Sequence, residues 1–79
     1  MNSKLKNSDT DFLFKAILSL ENEEECYRFF EDLCTSPELK AMSQRLVVAK
    51  MLTEKKVYSE IVKETGASTA TISRVKRAL

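Results

Sequence analysis

The 79-residue chain contains one glycine and one proline, and this scarcity constrains its fold more than any other feature. Glycine and proline are the residues that most often interrupt regular structure, so a chain with so few of them favours helices. No stretch alternates apolar and polar residues for long enough to indicate a strand. The sequence therefore predicts an all-α fold.

The length and the histidine count limit both the core and the chemistry. A chain of 79 residues forms one domain with a modest core, which usually needs a disulfide, a metal or a partner subunit. The sequence has no histidine and two cysteines, which excludes histidine-dependent catalysis and the common zinc sites. In one predicted helix, Cys26 and Cys34 would lie ~12 Å apart, too far for a disulfide. We expect no enzyme, metal or cofactor, and stability that comes from another chain.

The net charge of +1 is the sum of two unlike halves. Residues 1–34 carry four cations and eight anions, whereas residues 35–79 carry nine cations and four anions. A net charge of −4 next to one of +5 indicates a C-terminal half that faces a polyanion. The alternative is that ordinary solvated surfaces acquired this distribution by chance.

Signals of a secreted or membrane protein are missing from the sequence. No basic and apolar leader opens the chain, and no apolar run approaches the ~20 residues of a membrane span. The two cysteines are most simply reduced, buried thiols. We therefore expect a soluble, cytoplasmic protein.

The first predicted helix is unusual because it is apolar on almost every side. It begins near Ser8, whose hydroxyl is positioned to cap the amides around Asp11, and ends near Leu20. A helix of this kind must be enclosed on several sides, and one short chain has too few helices to do so. We interpret this helix as an element that packs against a second chain.

Two further helix starts are marked by capping residues. Asn22 precedes three glutamates, which fit the positive end of a helix dipole better than a metal site. Thr35 and Glu38 have the spacing of a capping box, with proline in the first turn of the third helix. That helix is expected to end near Thr53. Its predicted inward face comprises Leu39, Met42, Leu46, Ala49 and Leu52 or Thr53.

The last 23 residues have the pattern of a helix-turn-helix. With Tyr58 as its first position, Gly66 falls at position nine, where the turn needs a left-handed residue. The apolar wedge between the two helices falls at positions four, five, ten, fifteen and eighteen: Ile61, Val62, Ala67, Ile72 and Val75. Ser68 caps the second helix, which also places Leu79 on its apolar face. The domain prediction is one all-α domain over 1–79, with a dimerisation core at 8–53 and the helix-turn-helix at 57–79.

The second helix of this motif presents small polar groups and arginines outward, and no acidic residue follows Gly66. Small side chains at a helix start allow it to enter a major groove, and arginines offer paired donors to guanine or phosphate. We predict that Ser68, Thr69, Ser73 and Arg74 approach bases, with Ala70 on the same DNA-binding face. The predicted phosphate contacts are Lys55, Lys56, Lys63, Lys76 and Arg77.

The stretch TGASTATISRVKRAL, together with TSPE and MSQRL further upstream, resembles the Trp repressor superfamily, and most closely its YerC/YecD-like members. The resemblance covers roughly residues 30–79. It implies an intertwined homodimer, joined through the N-terminal helices, whose helix-turn-helix binds operator DNA. Family members continue past the second helix of the motif, so the resemblance also implies a further segment after Leu79.

Some members of this superfamily bind a corepressor between the third helix and the second helix of the helix-turn-helix. Residue by residue, the resemblance places Thr35, Arg45, Thr71 and Arg74 at that site. Tryptophan binders have a glycine where this chain has Val75 and a serine where it has Ala78. The resemblance therefore leaves a small-molecule corepressor open but argues against tryptophan.

Together these features predict a DNA-binding transcriptional regulator, most simply a repressor, that acts as a homodimer on a pseudo-palindromic operator in double-stranded DNA. The alternative is a protein-interaction adaptor whose helix-turn-helix only packs. An enzyme is the weakest alternative, since no nucleophile, base and orienting group occur together at suitable spacing.

Overall fold

The computed structural model describes residues 3–79, which form five helices and, within that range, no strand. The all-α prediction is confirmed. None of the helices described is long and apolar enough to cross a membrane. In chain order the helices are α1 (Ser8–Leu18), α2 (Glu23–Leu33), α3 (Ser36–Thr53), α4 (Tyr58–Thr65) and α5 (Thr69–Ala78).

The chain divides into two compact units, Met1–Cys34 and Thr35–Leu79. In the second unit α3 packs against both α4 and α5, and these two helices pack against each other. The division falls at the start of α3, so α3 belongs structurally with the helix-turn-helix segment. Whether residues 1–79 behave as the single domain that the sequence predicts stays a prediction.

The start and end of α1 differ from the prediction. Asn7, rather than Ser8, is the N-cap: its side-chain oxygen accepts a hydrogen bond from the Thr10 amide at 2.8 Å. Asparagine and serine are both good caps, and the neighbouring asparagine takes the position with extended backbone. The helix ends at Leu18 instead of Leu20. At this end the hydroxyl of Ser19, the C-cap, donates a hydrogen bond to the Ala16 carbonyl at 2.6 Å.

The predicted start of α2 is confirmed. The Asn22 side chain accepts a hydrogen bond from the Glu25 amide at 2.9 Å, and Glu23, Glu24 and Glu25 occupy the first turn. Glu25 also accepts a hydrogen bond from the Glu21 amide at 2.8 Å through its carboxylate. At least one carboxylate of the acidic cluster therefore has a local structural role at the helix start.

The predicted capping box of α3 is also confirmed. The Thr35 amide and hydroxyl each donate to the Glu38 carboxylate at 2.8 Å, and the Glu38 amide donates to the Thr35 hydroxyl oxygen at 3.3 Å. The hydrogen bond from the Thr35 amide, followed by that from its hydroxyl, lowers the pKa of Glu38 below its ordinary value of 4.5.

Because the folded-state pKa of Glu38 is lowered, its contribution to stability is present above pH 4.5 and is lost as the pH falls through the folded-state pKa. We expect Glu38→Gln, which keeps a cap but cannot titrate, to lose slightly less stability on acidification than the wild type. Urea unfolding at neutral and acidic pH measures the difference. Glu64→Gln, at a glutamate outside any cap, is the matched control; equal acid sensitivity of Glu38→Gln and wild type would contradict the prediction.

The hydrophobic core lies in the second unit. Five residues are buried, and four partly buried side chains pack around them. The buried residues are Val48, Met51, Ile61, Ala67 and Ile72, and the surrounding ones are Leu52, Tyr58, Val62 and Val75. The core therefore joins α3 to the two helices of the predicted DNA-binding motif.

The predicted inward face of α3 is wrong in part. Leu46 is 74% exposed and Met42 is 42% exposed, whereas Val48 and Met51 are buried. Apolar residues occupy 46–49 without a break, so the helix has apolar groups on opposite sides and periodicity does not select one of them. Contact with α4 and α5 selects the side of Val48.

The first unit contains no buried residue in either α1 or α2. Phe12 is 77% exposed and Leu18 is 83% exposed, and the aromatic ring of Tyr27 on α2 is also largely exposed. Apolar side chains of this size are usually covered in a stable protein. Within the first unit, α1 and α2 therefore do not bury these apolar side chains against each other.

Candidate nucleic-acid interface

Residues 58–79 form two helices joined by a tight turn, and we call this segment the helix pair. At the end of α4, Gly66 has a φ of +73° and donates its amide to the Val62 carbonyl at 2.9 Å. A Cβ at this position would meet no atom within 4 Å. Left-handed backbone, rather than lack of space, is therefore what favours glycine here.

The start of α5 is fixed by Ser68, as predicted. Its hydroxyl oxygen accepts a hydrogen bond from the Thr71 amide at 3.1 Å, and the Ser68 hydroxyl lies 3.1 Å from the Thr71 hydroxyl. The preceding residue, Ala67, is only 2% exposed. A capped helix start thus follows directly on a buried turn residue.

All five residues of the predicted wedge between the two helices lie in the core. Ile61 and Ile72 are fully buried, and Val62 and Val75 pack against them. Leu79, which the sequence placed on the same face, is 64% exposed. It lies beyond the last residue of α5, so the helix does not direct its side chain toward the core.

The residues predicted to approach bases lie on the outer side of α5. Ser68, Thr69, Ala70 and Arg74 are exposed, and Ser73 is half-buried. The first turn of α5 holds no acidic residue, and Lys76 and Arg77 occupy its last turn. This surface combines small side chains at the helix start with positive charge toward its end.

Three of the predicted phosphate-binding lysines meet at one cleft of about 750 Å³, which we call the lysine cleft. Lys55 and Lys56 come from the segment between α3 and α4, and Lys55 has a left-handed φ of 60°. Lys76 enters from α5, with its ammonium group 5.8 Å from the centre of the Tyr58 ring. Lys63, in the last turn of α4, is exposed and does not line the cleft.

Two of the four predicted corepressor residues come together. Arg45 and Arg74 both line an apolar surface groove of about 390 Å³ between α3 and α5. Thr35 and Thr71 are not part of its lining. Thr35 instead belongs to the capping box of α3, and Thr71 to the cap of α5. The remaining lining residues are Met42, Leu46, Ala49, Val75 and Ala78.

Comparison with known proteins identifies the family. The family model described as Trp repressor protein matches residues 8–79, which is almost the whole chain. This chain belongs to the Trp repressor family. The uncharacterised protein YerC of Bacillus subtilis (strain 168) is 60% identical to it over 76 residues, or 96% of this chain and 73% of YerC.

Solved structures of similar proteins agree with this membership. A candidate Trp repressor from Staphylococcus aureus matches with a TM-score of 0.91 and 60% identity, over 96% of this chain and 76% of that one. A TrpR-like protein from Eubacterium eligens ATCC 27750 matches with a TM-score of 0.93 and 56% identity, over 99% and 80% of the two chains. The predicted resemblance to the Trp repressor superfamily is confirmed. Trp repressor family members are DNA-binding regulators rather than enzymes.

Two contributors to the helix pair were not predicted from the sequence. The ring of Tyr58 lies beneath the Lys76 ammonium group, and Gln44 of α3 donates a hydrogen bond to the end of α4. A lysine 18 residues after a tyrosine has no characteristic spacing within a helix, and a glutamine in a helix carries no motif. Only the packing of the three helices brings these groups together.

Proposed function

We propose that this chain is a sequence-specific transcriptional regulator, most simply a repressor, that binds a pseudo-palindromic operator as a homodimer. The observation that carries the proposal is the helix pair, in which a buried wedge and a left-handed glycine turn present an α5 surface without acidic residues. This is the arrangement by which helix-turn-helix proteins insert their second helix into a major groove. Membership in the Trp repressor family supports it.

The exposed side of α5 is the surface that contacts the bases. The small side chains of Thr69 and Ala70 at the helix start allow close approach to base edges, and their methyl groups suit the methyl of thymine. Arg74 lies about one turn further along and carries paired donors of the kind that bind guanine. Ser68 and Ser73 complete the set.

Four lysines and Arg77 bind the DNA phosphates. Lys55, Lys56 and Lys76 surround one cleft, so their charges act on the same stretch of a DNA backbone. Lys63 and Arg77 are exposed and add to this set. Such contacts supply affinity that depends on salt but not on sequence.

The homodimer is proposed from the exposed apolar surface of α1 and α2. No residue of these helices is buried in one chain, and Phe12 and Leu18 are more than three-quarters exposed. A second copy that covers these groups would supply the missing core. Two α5 helices about 34 Å apart would then enter successive major grooves on one face of the DNA.

A small-molecule corepressor would bind in the groove that holds Arg45 and Arg74. Guanidinium groups on an apolar groove suit a planar ligand with a carboxylate. We do not propose tryptophan, because Val75 and Ala78 line the groove where tryptophan binders carry glycine and serine. We propose that the regulator acts in the cytoplasm and without a metal or other cofactor.

Selection of bound sequences from random duplex DNA tests the proposal, followed by salt titration of the selected duplex. We expect a palindrome with fixed half-site spacing and an affinity that falls steeply with salt. Absence of salt-dependent DNA binding would contradict the proposal and favour a protein-interaction adaptor whose helix pair only packs. A non-palindromic selected sequence would contradict the symmetric homodimer.

Arg74→Ala tests the base-reading role. We expect the free energy of operator binding to weaken by ~1–3 kcal/mol and the base preference at one position to relax. Arg28→Ala is a charge-matched control, because Arg28 lies in the first unit and pairs with Glu24 at 2.6 Å. Binding titrations on operator and random duplexes measure both. Equal losses on the two duplexes would show that Arg74 contacts phosphate only.

A further inference from the structure

Within residues 3–79, a single hydrogen bond joins two different helices. The side-chain amide of Gln44 on α3 donates to the carbonyl oxygen of Thr65, the last residue of α4, at 3.0 Å. Both residues are half-buried. Carbonyls in the last turn of a helix have no partner within that helix, so Gln44 supplies a partner from outside it.

The side chain of Thr65 continues this connection into the turn. Its hydroxyl donates to the Ile61 carbonyl at 2.7 Å and accepts from the Ala67 amide at 3.1 Å. Ala67 is almost completely buried, so its amide needs a protein partner. One hydroxyl therefore ties the end of α4 to the residue that leads into the cap of α5.

We propose that Gln44 and Thr65 form a positioning pair that sets the orientation of α5 relative to α3. The proposal rests on the proposed function, because the orientation of α5 matters for the reading of bases. Ile61, Ala67 and Ile72 hold the helices together by apolar contact, which has no preferred direction. The hydrogen bonds of Gln44 and Thr65 are directional and select one orientation among those that the apolar contact allows.

The two classes of DNA contact should respond differently to a loss of this pair. An arginine that binds a base edge through two donors requires a well-defined helix position. Lysines on flexible side chains reach phosphates from a range of positions. Loosening α5 should therefore lower operator binding and leave binding to random DNA unchanged.

Four substitutions, two of them controls, separate positioning from general stability. Gln44→Met removes the hydrogen-bond donor and keeps a side chain of similar length. Thr65→Val removes the hydroxyl and keeps a side chain of similar shape. Thr65→Ser keeps the hydroxyl and should behave as the wild type. Ser43→Ala is the matched control on α3, because the Ser43 hydroxyl bonds only to the Leu39 carbonyl of its own helix at 2.9 Å.

Residual dipolar couplings measure the angle between α3 and α5, and hydrogen exchange measures the exchange rate of the Ala67 amide. Binding titrations on operator and random duplexes measure DNA affinity. We expect Gln44→Met and Thr65→Val to change the angle and to speed Ala67 exchange. We also expect them to lower the ratio of operator to random affinity by up to about tenfold, the effect of one lost hydrogen bond. Random-duplex affinity should stay within about twofold of the wild type.

An unchanged angle in both variants would overturn the proposal, and so would equal losses on operator and random duplexes. If Gln44→Met does not fold, the comparison of Thr65→Val with Thr65→Ser decides. A wild type that binds no duplex would contradict the proposed function alone. In that case the angle and the exchange rate still decide whether Gln44 and Thr65 position α5.

Discussion

Phe12→Ala is expected to make the protein mostly monomeric at concentrations at which the wild type is a dimer. Phe12 is 77% exposed in one chain, and covering a phenylalanine stabilises an assembly by about 1.5–3 kcal/mol. A symmetric dimer contains the contact twice, so the free energy of dimerisation should weaken by about 3–6 kcal/mol. Sedimentation equilibrium over a range of concentrations measures this change.

Val57→Ala is the control for that experiment, because Val57 is 63% exposed but precedes the helix pair instead of lying in the first unit. Its dimerisation should match that of the wild type. A Phe12→Ala protein with an unchanged dissociation constant would show that α1 does not form the dimer contact. A monomeric wild type at high concentration would contradict the homodimer itself.

Ile72→Ala is expected to lower the free energy of unfolding by about 2–5 kcal/mol. Ile72 is fully buried, and its side chain contributes to the core that α3 shares with the helix pair. The loss is a large part of the stability of any small domain, so DNA binding should fall along with the folded fraction. Urea unfolding at a fixed protein concentration measures it.

Val75→Ala, one turn further along α5, is the matched control. Val75 is only partly buried, and the substitution removes fewer atoms from the core. It should cost clearly less than Ile72→Ala, although both changes place alanine in the same helix. Equal losses would mean that position in the helix, rather than burial in the wedge, determines stability.

The local features of the fold could be predicted because neighbouring residues determine them. The caps at Asn22 and Ser68, the capping box of Thr35 and Glu38, and the left-handed Gly66 all depend on groups within about one helical turn. At the start of α1 the same reasoning selected Ser8, since asparagine and serine stand side by side and both can cap. Local chemistry does not rank two such candidates.

The parts that could not be predicted depend on contacts between distant residues. α3 is apolar on two sides, and only its packing against α4 and α5 shows that Val48 faces inward and Leu46 outward. Of the predicted corepressor set, Arg45 and Arg74 do line one groove, whereas Thr35 and Thr71 are engaged in helix caps. Gln44 was missed because its partner is a backbone carbonyl 21 residues further along the chain.

The open space around Gly66 has a consequence for how related sequences are recognised. Apart from Gly66 itself and its two chain neighbours, no residue has an atom within 4 Å of the place where a Cβ would stand, so the requirement there is one of backbone torsion alone. Asparagine tolerates left-handed backbone better than other residues with a side chain, so it can replace this glycine at modest cost. A search pattern that demands glycine at the ninth position would overlook such homologues, and a pattern that accepts asparagine there would recover them.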